Sequence, residues 1–382
     1  MDVFPPGSTV GIIGGGQLGR MFCMAARRMG YRTVVWTGGL EAPAMVVADH
    51  AIDLPFDDLG ALHDFVARVD VATVEFENIP RKTLEAVAAE IPLHPSPDAL
   101  AICQNREREK TFLQSNGIPC APFAVVSNAE ELADAMAKIG LPAVLKTADF
   151  GYDGKGQRKI EPGDDAVEIW QTFDGVRAVL EAFIPFESEL SVMVACDGNG
   201  RYACYDPAEN RHRHHILDVS IIPARVDESV AREAREIARG VAESLAYRGI
   251  MGVEFFVLSD GTLLVNEMAP RPHNSGHHTL DACATSQFEQ QLRAVCGLPL
   301  GSPRLLSPVV MLNLLGDMWP EESTPPDWSP LFDDAEAFLH LYGKRRAIDR
   351  RKMGHANFLG PDVTDCLDRA EALKSRMLAD GR

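Results

Sequence analysis

Positive charge is scarce in this sequence. Its 382 residues include 37 Lys and Arg against 55 Asp and Glu, which gives a formal net charge of −18. Because nucleic acids and anionic membranes repel so acidic a surface, general binding to either partner is not expected. A small anionic ligand is still compatible with the composition, provided that lysines and arginines are concentrated locally.

Long apolar segments and paired cysteine motifs are missing as well. The apolar runs are only as long as strands, so no bilayer-spanning helix is predicted. The N-terminus, MDVFPPGSTV, lacks the basic start and apolar core of a signal peptide. None of the eight cysteines forms a C-x-x-C pair, which disfavours a zinc knuckle or a thioredoxin-type site. Together these features predict a reduced, cytoplasmic protein.

The order of predicted elements indicates two or three domains. Strands at 9–14, 32–36 and 71–76 alternate with helices, which is typical of a parallel sheet covered by helices. A proline-rich linker at 91–98 is followed by a charged helix over 99–116, and the pattern then becomes mixed. The later predicted elements are strands at 143–147, 178–182, 190–195 and 335–342, helices at 128–139, 227–247 and 364–379, and a hairpin at 252–267.

A glycine-rich turn, GIIGGGQLGRM, joins the first strand to the first helix. Gly14, Gly16 and Gly19 fit the spacing G-x-G-x-x-G, in which backbone N–H groups at a helix N-terminus bind an anion. A dinucleotide site also needs an acidic residue at the end of the second strand, but here the first acid is Glu41. The turn therefore predicts a phosphate or small anion nearby and disfavours NAD.

Two carboxylates face each other across the predicted hairpin. A two-residue turn at Asp260-Gly261 places Glu254 directly opposite Glu267, amid apolar residues. Such a pair needs a counter-ion, and oxygen ligands suit Mg²⁺ or Mn²⁺. The alternative is a solvated pair at the edge of the sheet, but the flanking VEFF and LLVN favour burial and hence a metal.

Lys146 and the loop at 151–157 predict a phosphate site. Lys146 lies on an apolar strand, where a lysine is costly unless an anion meets it. The loop is rich in glycine, so its backbone can close over phosphates, although it is not a Walker sequence. The alternative is an ordinary hairpin loop with a surface lysine. Combined with a two-carboxylate metal site, ATP binding is the better interpretation.

Two further segments carry candidate binding residues. NEMAPRPHNSGHHT (266–279) places Arg271, His273 and Asn274 after the metal strand, where they supply donors for an oxyanion. GKRRAIDRRK (343–352) has six basic residues in ten and is either a solvated turn or the site of a phosphorylated substrate. The histidines at 212–215 and 277–278 lack the ligand spacing of a transition-metal cluster.

These motifs resemble one family over nearly the whole chain. GIIGGGQLGRM, EFEN (75–78), KTADFGYDGKGQ, NEMAPRPHNSGHHT and YGK…RRKMGH are similar to 5-(carboxyamino)imidazole ribonucleotide synthetases, the ATP-grasp ligases of bacterial and fungal purine biosynthesis. The segment AIDRRKMGH lacks the Pro-Gly that the family commonly has before RKMGH. The resemblance implies an α/β and α+β ATP-grasp fold and a homodimer. The implied parts are a Rossmann-like domain (1–98), an ATP-grasp domain (99–305) with a lid at roughly 119–185, and a C-terminal portion (306–382) that completes the core.

The resemblance also implies the reaction and its residues. ATP and bicarbonate would carboxylate 5-aminoimidazole ribonucleotide through carboxyphosphate. The implied ATP contacts are Arg106, Lys146, Gly151, Tyr152, Asp153, Gly154, Lys155, Gly156, Gln157, Glu181, Ala182, Phe183, Ile184, Glu189, His212, Asn266 and Glu267. The implied metal ligands are Glu254, Asn266 and Glu267, and the implied catalytic residues are Arg271, His273 and Asn274. The implied nucleotide contacts are Gln17, Leu18, Glu75, Asn78, Tyr152, Asp153, Lys344 and Arg351.

Other functions remain open at this level. A formate-using or glycinamide-using ribonucleotide ligase or a biotin carboxylase would share the metal and ATP sites but differ at EFEN and RKMGH. An NAD-dependent oxidoreductase would use the glycine turn. A non-catalytic regulator would bind ATP without turnover.

Overall fold

Three β-sheets organise the chain. The computed structural model describes residues 2–39, 41–149, 156–173 and 175–380. The first sheet is entirely parallel, with the order β3-β2-β1-β4. Its strands are β1 (Thr9–Ile13), β2 (Arg32–Trp36), β3 (His50–Ile52) and β4 (Val71–Val74), and its helices are α1 (Gln17–Arg28), α2 (Leu59–Val66) and α3 (Arg81–Glu90). Helices pack over these buried strands, which confirms the predicted parallel sheet.

The predicted single helix over 99–116 is wrong. It is divided into α4 (Pro97–Cys103) and α5 (Arg106–Ser115), and the break falls at Gln104 and Asn105. Asn105 has extended backbone, and its side-chain oxygen accepts from the Arg108 N–H at 3.0 Å. An asparagine in this conformation caps a new helix and does not continue the old one. The break orients α5 separately, with Arg106 at its first turn.

A four-stranded antiparallel sheet forms the second unit, with the order β5-β8-β6-β7. Its apolar core includes Leu132, Leu145 and Leu180. The elements are β5 (Phe123–Val126), α6 (Ala129–Ile139), β6 (Ala143–Thr147), β7 (Gln157–Ile160), α7 (Ala166–Gln171) and β8 (Ala178–Ala182).

The third sheet has nine strands and is shared by the middle and last parts of the chain. Its order is β14-β13-β9-β11-β12-β15-β17-β16, and β10 pairs with β9. The strands are β9 (Ser188–Asp197), β10 (Tyr202–Cys204), β11 (Ala208–Arg213), β12 (Ile216–Ile222), β13 (Arg248–Val257), β14 (Leu263–Ala269), β15 (Val309–Leu315), β16 (Ala337–Leu341) and β17 (Lys352–Leu359). The helices are α8 (Glu228–Ser244), α9 (Thr279–Ala282), α10 (Gln287–Val295), α11 (Ser329–Phe332) and α12 (Val363–Asp380).

The hairpin β13–β14 has the predicted pairing but not the predicted turn. The loop closes between Leu258 and Thr262, so the strands next to it pair Val257 with Leu263. Continued along both strands, that register would pair Glu254 with Asn266 and not with Glu267. A β-bulge at Asn266 inserts one extra residue and restores the Glu254–Glu267 pair. No helix in the described part of the chain is long and apolar enough to cross a membrane.

Candidate active site

The glycine turn is occupied by a side chain of the protein itself. Glu75 is buried, and its two carboxylate oxygens accept from the N–H groups of Gly16 at 2.6 Å and Gly19 at 3.0 Å. A Cβ at Gly16 would lie 2.7 Å from Glu75 Oε1, and one at Gly14 would lie 2.5 Å from Glu75 Cγ. Burial raises the pKa of Glu75, and the two N–H groups oppose that rise. The N–H groups of Gly16 and Gly19 are therefore paired with Glu75 and are not available to an external anion.

The bulge orients the carboxylate pair toward one face of the large sheet. Leu263, Val265 and Met268 belong to the apolar core, so two consecutive residues, Asn266 and Glu267, lie between the core positions 265 and 268, where a regular strand would have one. In a regular strand two consecutive side chains point to opposite faces, so this departure is the effect of the bulge. The bulge thereby places the predicted metal ligands Asn266 and Glu267 beside Glu254, within the paired part of the hairpin.

Glu254 is held by a histidine from the segment that follows β14. His273 Nε2 lies 3.0 Å from Glu254 Oε1, and both side chains are largely buried. Burial by itself would raise the pKa of Glu254, but the contact with His273 outweighs burial and lowers it. Glu254 is therefore an anion in the folded protein, as a metal ligand must be.

A second charged cluster lies between β6, β8 and α5. Glu181 Oε2 is 3.1 Å from Lys146 Nζ and 3.4 Å from Lys110 Nζ. Although burial opposes it, the positive charges of Lys110, Lys146 and Arg106 lower the pKa of Glu181 to about 2. Within the described residues, Arg106 Nε is buried without a hydrogen-bond partner. The cluster therefore has an unpaired donor available to an anionic ligand.

Two important residues of α5 were missed in the sequence. Lys110 is fully buried and donates to the Asn266 carbonyl oxygen at 2.9 Å. Glu109 accepts from the Met268 N–H at 2.6 Å, and burial together with Glu267 raises its pKa. Both contacts lie beside the bulge in β14. The sequence feature that could have identified them is the run NREREK, because a helix with so many charged residues is not expected to be buried.

Arg271 is paired with a residue that sequence reasoning also missed. Its guanidinium makes two hydrogen bonds to the Glu77 carboxylate, of 2.5 and 3.1 Å. Burial alone would raise the pKa of Glu77, but Arg271 lowers it. Gln17 Nε2 also approaches Asn274 Oδ1 at 3.5 Å. The first sheet and the 271–274 segment are therefore joined at the site.

The predicted adenosine contacts lie along β8, β9 and β11. The Ala182 N–H donates to the Pro122 oxygen at 2.9 Å, but Pro122 has no N–H to return to the Ala182 carbonyl. Glu189 Oε2 lies 2.7 Å from His212 Nδ1. Burial lowers the pKa of His212, but Glu189 outweighs burial and raises it. Lys159 Nζ lies 4.4 Å from the centre of the Phe183 ring.

Part of the predicted phosphate loop lies outside the described residues, namely Gly151, Tyr152, Asp153, Gly154 and Lys155. At the end of the loop, the Gly156 carbonyl accepts from the Thr147 N–H at 2.8 Å. Gly156 has a φ of +68°, and a Cβ there would lie 2.5 Å from Thr147 Oγ1. Gln157 then begins β7, next to Lys146 on β6.

The basic loop, residues 343–352, contacts the unit that contains the first sheet, so it is not only a solvated turn. Arg351 Nη2 donates to Glu41 at 2.6 Å, and the Arg345 N–H donates to the other oxygen of Glu41 at 2.9 Å. Lys344 donates to the Lys352 carbonyl at 2.6 Å. Burial, assisted by Arg351 and Lys352, lowers the pKa of Lys344 to about 8. Lys344 also interacts electrostatically with Glu75, which connects the loop to the glycine turn.

Three of the predicted residues, Asn78, Arg106 and Glu267, line a common cavity. A small cavity is lined by Glu77, Asn78, Arg106, Glu109 and Glu267 among others. Leu18 is buried at the start of α1, next to the turn that Glu75 occupies. Within the described residues, no group of three or more His, Cys, Asp and Glu side chains could hold a metal by itself. A cation at Glu254 and Glu267 would therefore need further oxygen ligands, such as those of a phosphate.

Comparison with family models divides the chain into three matches. Residues 8–104 match the ribonucleotide synthetase preATP-grasp domain, and residues 111–288 match the ATP-grasp domain. Residues 309–369 match the phosphoribosylaminoimidazole carboxylase C-terminal domain.

Individual proteins match over nearly their whole length. The N5-carboxyaminoimidazole ribonucleotide synthase of Brucella melitensis is 45% identical over 93% of this chain and 97% of that protein. The synthase of Bacillus subtilis is 43% identical over 94% and 93%, respectively. The structure of an N5-carboxyaminoimidazole ribonucleotide synthetase with ADP superposes with a TM-score of 0.91, at 40% identity and 98% coverage of each chain. The Aspergillus clavatus enzyme with ADP and 5-aminoimidazole ribonucleotide gives a TM-score of 0.86, at 29% identity and 97% and 99% coverage.

Proposed function

The chain belongs to the N5-carboxyaminoimidazole ribonucleotide synthase family, and from this premise we propose which residues carry out its reaction. The enzyme is an ATP-dependent ligase of purine biosynthesis, which carboxylates 5-aminoimidazole ribonucleotide. The observation that carries the assignment is the Glu254–Glu267 pair, which lies at the bulge next to Lys110 and the Lys146–Glu181 cluster.

ATP lies between the antiparallel sheet and the large sheet in this proposal. Adenine contacts the backbone of the 181–184 segment, because the Ala182 carbonyl has no partner N–H on Pro122. Glu189 accepts from the ribose hydroxyls, next to His212. Arg106, Lys146 and the loop at 151–157 bind the phosphates, and the unpaired Nε of Arg106 supports this placement.

Glu254, Glu267 and Asn266 would hold Mg²⁺ or Mn²⁺. The donors fit the ion, because all three are oxygen ligands and hard divalent cations prefer oxygen. Such an ion neutralises charge on the phosphates during phosphoryl transfer. The role of Lys110 is to hold the Asn266 carbonyl, and hence the bulge, in place.

Arg271, His273 and Asn274 bind bicarbonate and the carboxyphosphate made from it. A bicarbonate oxygen attacks the γ-phosphorus of ATP, the bond to the β-phosphate oxygen breaks, and ADP leaves. The amine of the ribonucleotide then forms a bond to the carboxyl carbon, and phosphate departs with the bicarbonate oxygen. Arg271 supplies fixed donors to the developing charge, and Glu77 holds its guanidinium in position.

The ribonucleotide is bound by the first sheet's unit and the basic loop. Gln17, Leu18, Glu75, Asn78, Tyr152 and Asp153 surround the aminoimidazole, and Lys344 and Arg351 meet its 5′-phosphate. Because Glu75 already accepts from two backbone N–H groups, its main contribution is to fix the turn that carries Gln17 and Leu18. Because Glu75 already pairs with the backbone N–H groups of this turn, binding of NAD there is disfavoured.

Further proposals concern organisation and location. We keep the division into 1–98, 99–305 (lid at roughly 119–185) and 306–382, and we propose a cytoplasmic homodimer. All eight cysteines are free in the structure, which is compatible with a reducing compartment.

The test is ADP release at fixed bicarbonate, with and without 5-aminoimidazole ribonucleotide. The proposal predicts release that depends on the nucleotide and that is not replaced by glycinamide ribonucleotide with formate. Release that is independent of the aminoimidazole nucleotide would overturn it.

A further inference from the structure

A row of buried polar side chains crosses four neighbouring strands beneath the site. Glu254 on β13 pairs with Ser191 on β9, and Asn210 on β11 pairs with Ser220 on β12. Ser191, Asn210 and Ser220 are at most 5% exposed. None of them is needed for binding in the reaction as described. Polar groups are rarely buried in such a row unless each one has a partner.

The row is one continuous chain of hydrogen bonds that ends at His273. Ser220 Oγ donates to Asn210 Oδ1 at 2.7 Å, and Asn210 Nδ2 donates to Ser191 Oγ at 2.9 Å. Ser191 Oγ lies 2.7 Å from Ser275 Oγ, and Ser275 Oγ lies 2.9 Å from His273 Nδ1.

Two independent contacts fix the direction of this chain. The carboxylate of Glu254 can only accept, so His273 Nε2, at 3.0 Å from it, carries a proton. The Ser275 backbone N–H points at His273 Nδ1 at 3.4 Å, so Nδ1 is an acceptor. Ser275 Oγ must then donate to Nδ1, and in turn it accepts from Ser191, which accepts from Asn210.

The His273 backbone is fixed as well, so only the ring remains to be oriented. Buried Gln287 accepts from the His273 N–H at 2.9 Å and donates to the His273 carbonyl at 2.8 Å. Gly252 leaves room for the ring, because a Cβ there would lie 2.9 Å from His273 Cβ. The proton on Nε2 therefore depends on the contacts of the ring and not on backbone freedom.

We propose that Ser275 and Ser191, supported by Asn210 and Ser220, are positioning residues that hold His273 as the Nε2–H tautomer. The ring then offers a hydrogen-bond donor to Glu254 and the transferred carboxylate, and its other nitrogen is occupied. His273 is thus a donor in the reaction and not the base that takes a proton from bicarbonate or the amine. This inference rests on the proposed place of His273 at the reacting centre.

The experiment is nitrogen-15 NMR of the full chain labelled at histidine, with His273 assigned from the spectrum of His273→Gln. The expected spectrum has a protonated Nε2 and an unprotonated Nδ1 at His273. A protonated Nδ1 in an enzyme with normal nucleotide-dependent ADP release overturns the inference and leaves the proposed function intact. The reverse result is the expected tautomer in an enzyme that shows no nucleotide-dependent ADP release. That result overturns the link between the tautomer and catalysis, because the proposed function itself has then failed.

Ser275→Ala is the matching variant. Loss of the hydroxyl donor should leave Nδ1 with only the long contact to the Ser275 N–H, so we expect the nitrogen-15 signal of Nδ1 to shift, the ring to lose its fixed orientation, and kcat to fall roughly ten- to a hundredfold with the KM for ATP unchanged. Ser307→Ala is the control, because its hydroxyl bonds to the Pro308 and Gly360 carbonyls elsewhere. A Ser275→Ala enzyme with the wild-type Nδ1 signal and the turnover of the control would overturn the proposal.

Discussion

Glu75 shows how one residue changes the meaning of a motif. Its carboxylate takes the place of the phosphate that a glycine turn of this spacing commonly binds, because it accepts from Gly16 and Gly19. The sequence predicted the turn correctly, but it could not reveal that the anion comes from the end of β4. Only the parallel pairing of β1 with β4 brings Glu75 next to the turn.

Glu75→Gln tests this role. The amide keeps one acceptor oxygen and presents an NH₂ group to the other backbone N–H, so one buried donor loses its partner. We expect a loss of about 1–3 kcal/mol in the free energy of unfolding, measured by urea denaturation. Exposed Glu90→Gln in the same unit is the control, with an expected change of at most about 0.5 kcal/mol. Equal stability of the two variants would contradict the role of Glu75.

The carboxylate pair gives a second prediction at this scale. Glu267→Gln should lower the rate of ligation by at least about a hundredfold, and Glu254→Gln nearly as much, since neutral amides bind hard cations poorly. ADP release measures the rate, and a thermal melt without Mg²⁺ should show an intact fold, since removing one of two facing charges relieves repulsion. Exposed Glu236→Gln is the control. Folded Glu267→Gln with near-normal turnover would remove the metal assignment.

Arg271 and Arg351 should differ in the kinetic constant that they change. In the proposed site Arg271 binds the group being transferred, so Arg271→Ala should lower turnover at saturating nucleotide roughly ten- to a hundredfold. In the proposed site Arg351 binds the distant 5′-phosphate, so Arg351→Ala should raise the KM for the nucleotide by a similar factor, with the KM for ATP little changed.

Steady-state ADP release, with each substrate varied in turn, separates these two effects. Arg346→Ala is the control, because that side chain is exposed and pairs with Glu322. An Arg351 variant with the nucleotide response of the control would show that the basic loop is only a solvated turn.

At the scale of elements, the hairpin and α5 explain what sequence reasoning could and could not predict. The apolar runs of β6 and β8 were predicted within their observed bounds, because their periodicity is local. The Glu254–Glu267 pairing was also correct, but the turn was wrong by one residue and the bulge at Asn266 compensated. A bulge depends on partners elsewhere in the fold, here Lys110 and Glu109, and so it has no local signal.

Residues whose contacts depend on how distant segments pair were also missed, because those contacts have no local signal in the sequence. Ser191, Asn210 and Ser220 are unremarkable in the sequence, and they become a row only when β9, β11 and β12 pair. Glu77 lies within the EFEN motif, but its partner Arg271 is far away in the chain. Strand β15 was overlooked although VVMLNLL is strongly apolar, because it follows a turn-rich segment.

Helix α5 yields a prediction of its own. Lys110→Met removes the donor to the Asn266 carbonyl and one of the cations that pair with Glu181. We expect a loss of about 3 kcal/mol or more in the free energy of unfolding, because a buried charge pair is broken from one side. The turnover of the remaining folded enzyme should fall as well, since the bulge loses its support. Exposed Lys138→Met on α6 is the control, and equal values for both variants would contradict the role of Lys110.

At the scale of the whole molecule, the site lies where all parts of the chain meet. One apolar cluster contains Val10 and Phe22 of the first unit, Phe288 of α10 and Tyr342 after β16. The nine-stranded sheet likewise joins β13 and β14 to β15, β16 and β17. The basic loop, with six Lys and Arg in residues 343–352, bonds to Glu41 across this junction, so positive charge is concentrated there by the loop itself despite the net charge of −18. In the proposed site this local positive charge attracts the anionic ribonucleotide to one place on an otherwise acidic molecule.

The central claim is that this junction activates bicarbonate with ATP before the ribonucleotide is carboxylated. The most direct measurement is the fate of oxygen-18 from labelled bicarbonate during turnover with ATP and 5-aminoimidazole ribonucleotide. Attack of a bicarbonate oxygen on the γ-phosphorus transfers that oxygen to phosphate, so mass spectrometry should find one labelled oxygen in each phosphate released. Phosphate without the label, formed at the same rate as the carboxylated product, would contradict the account.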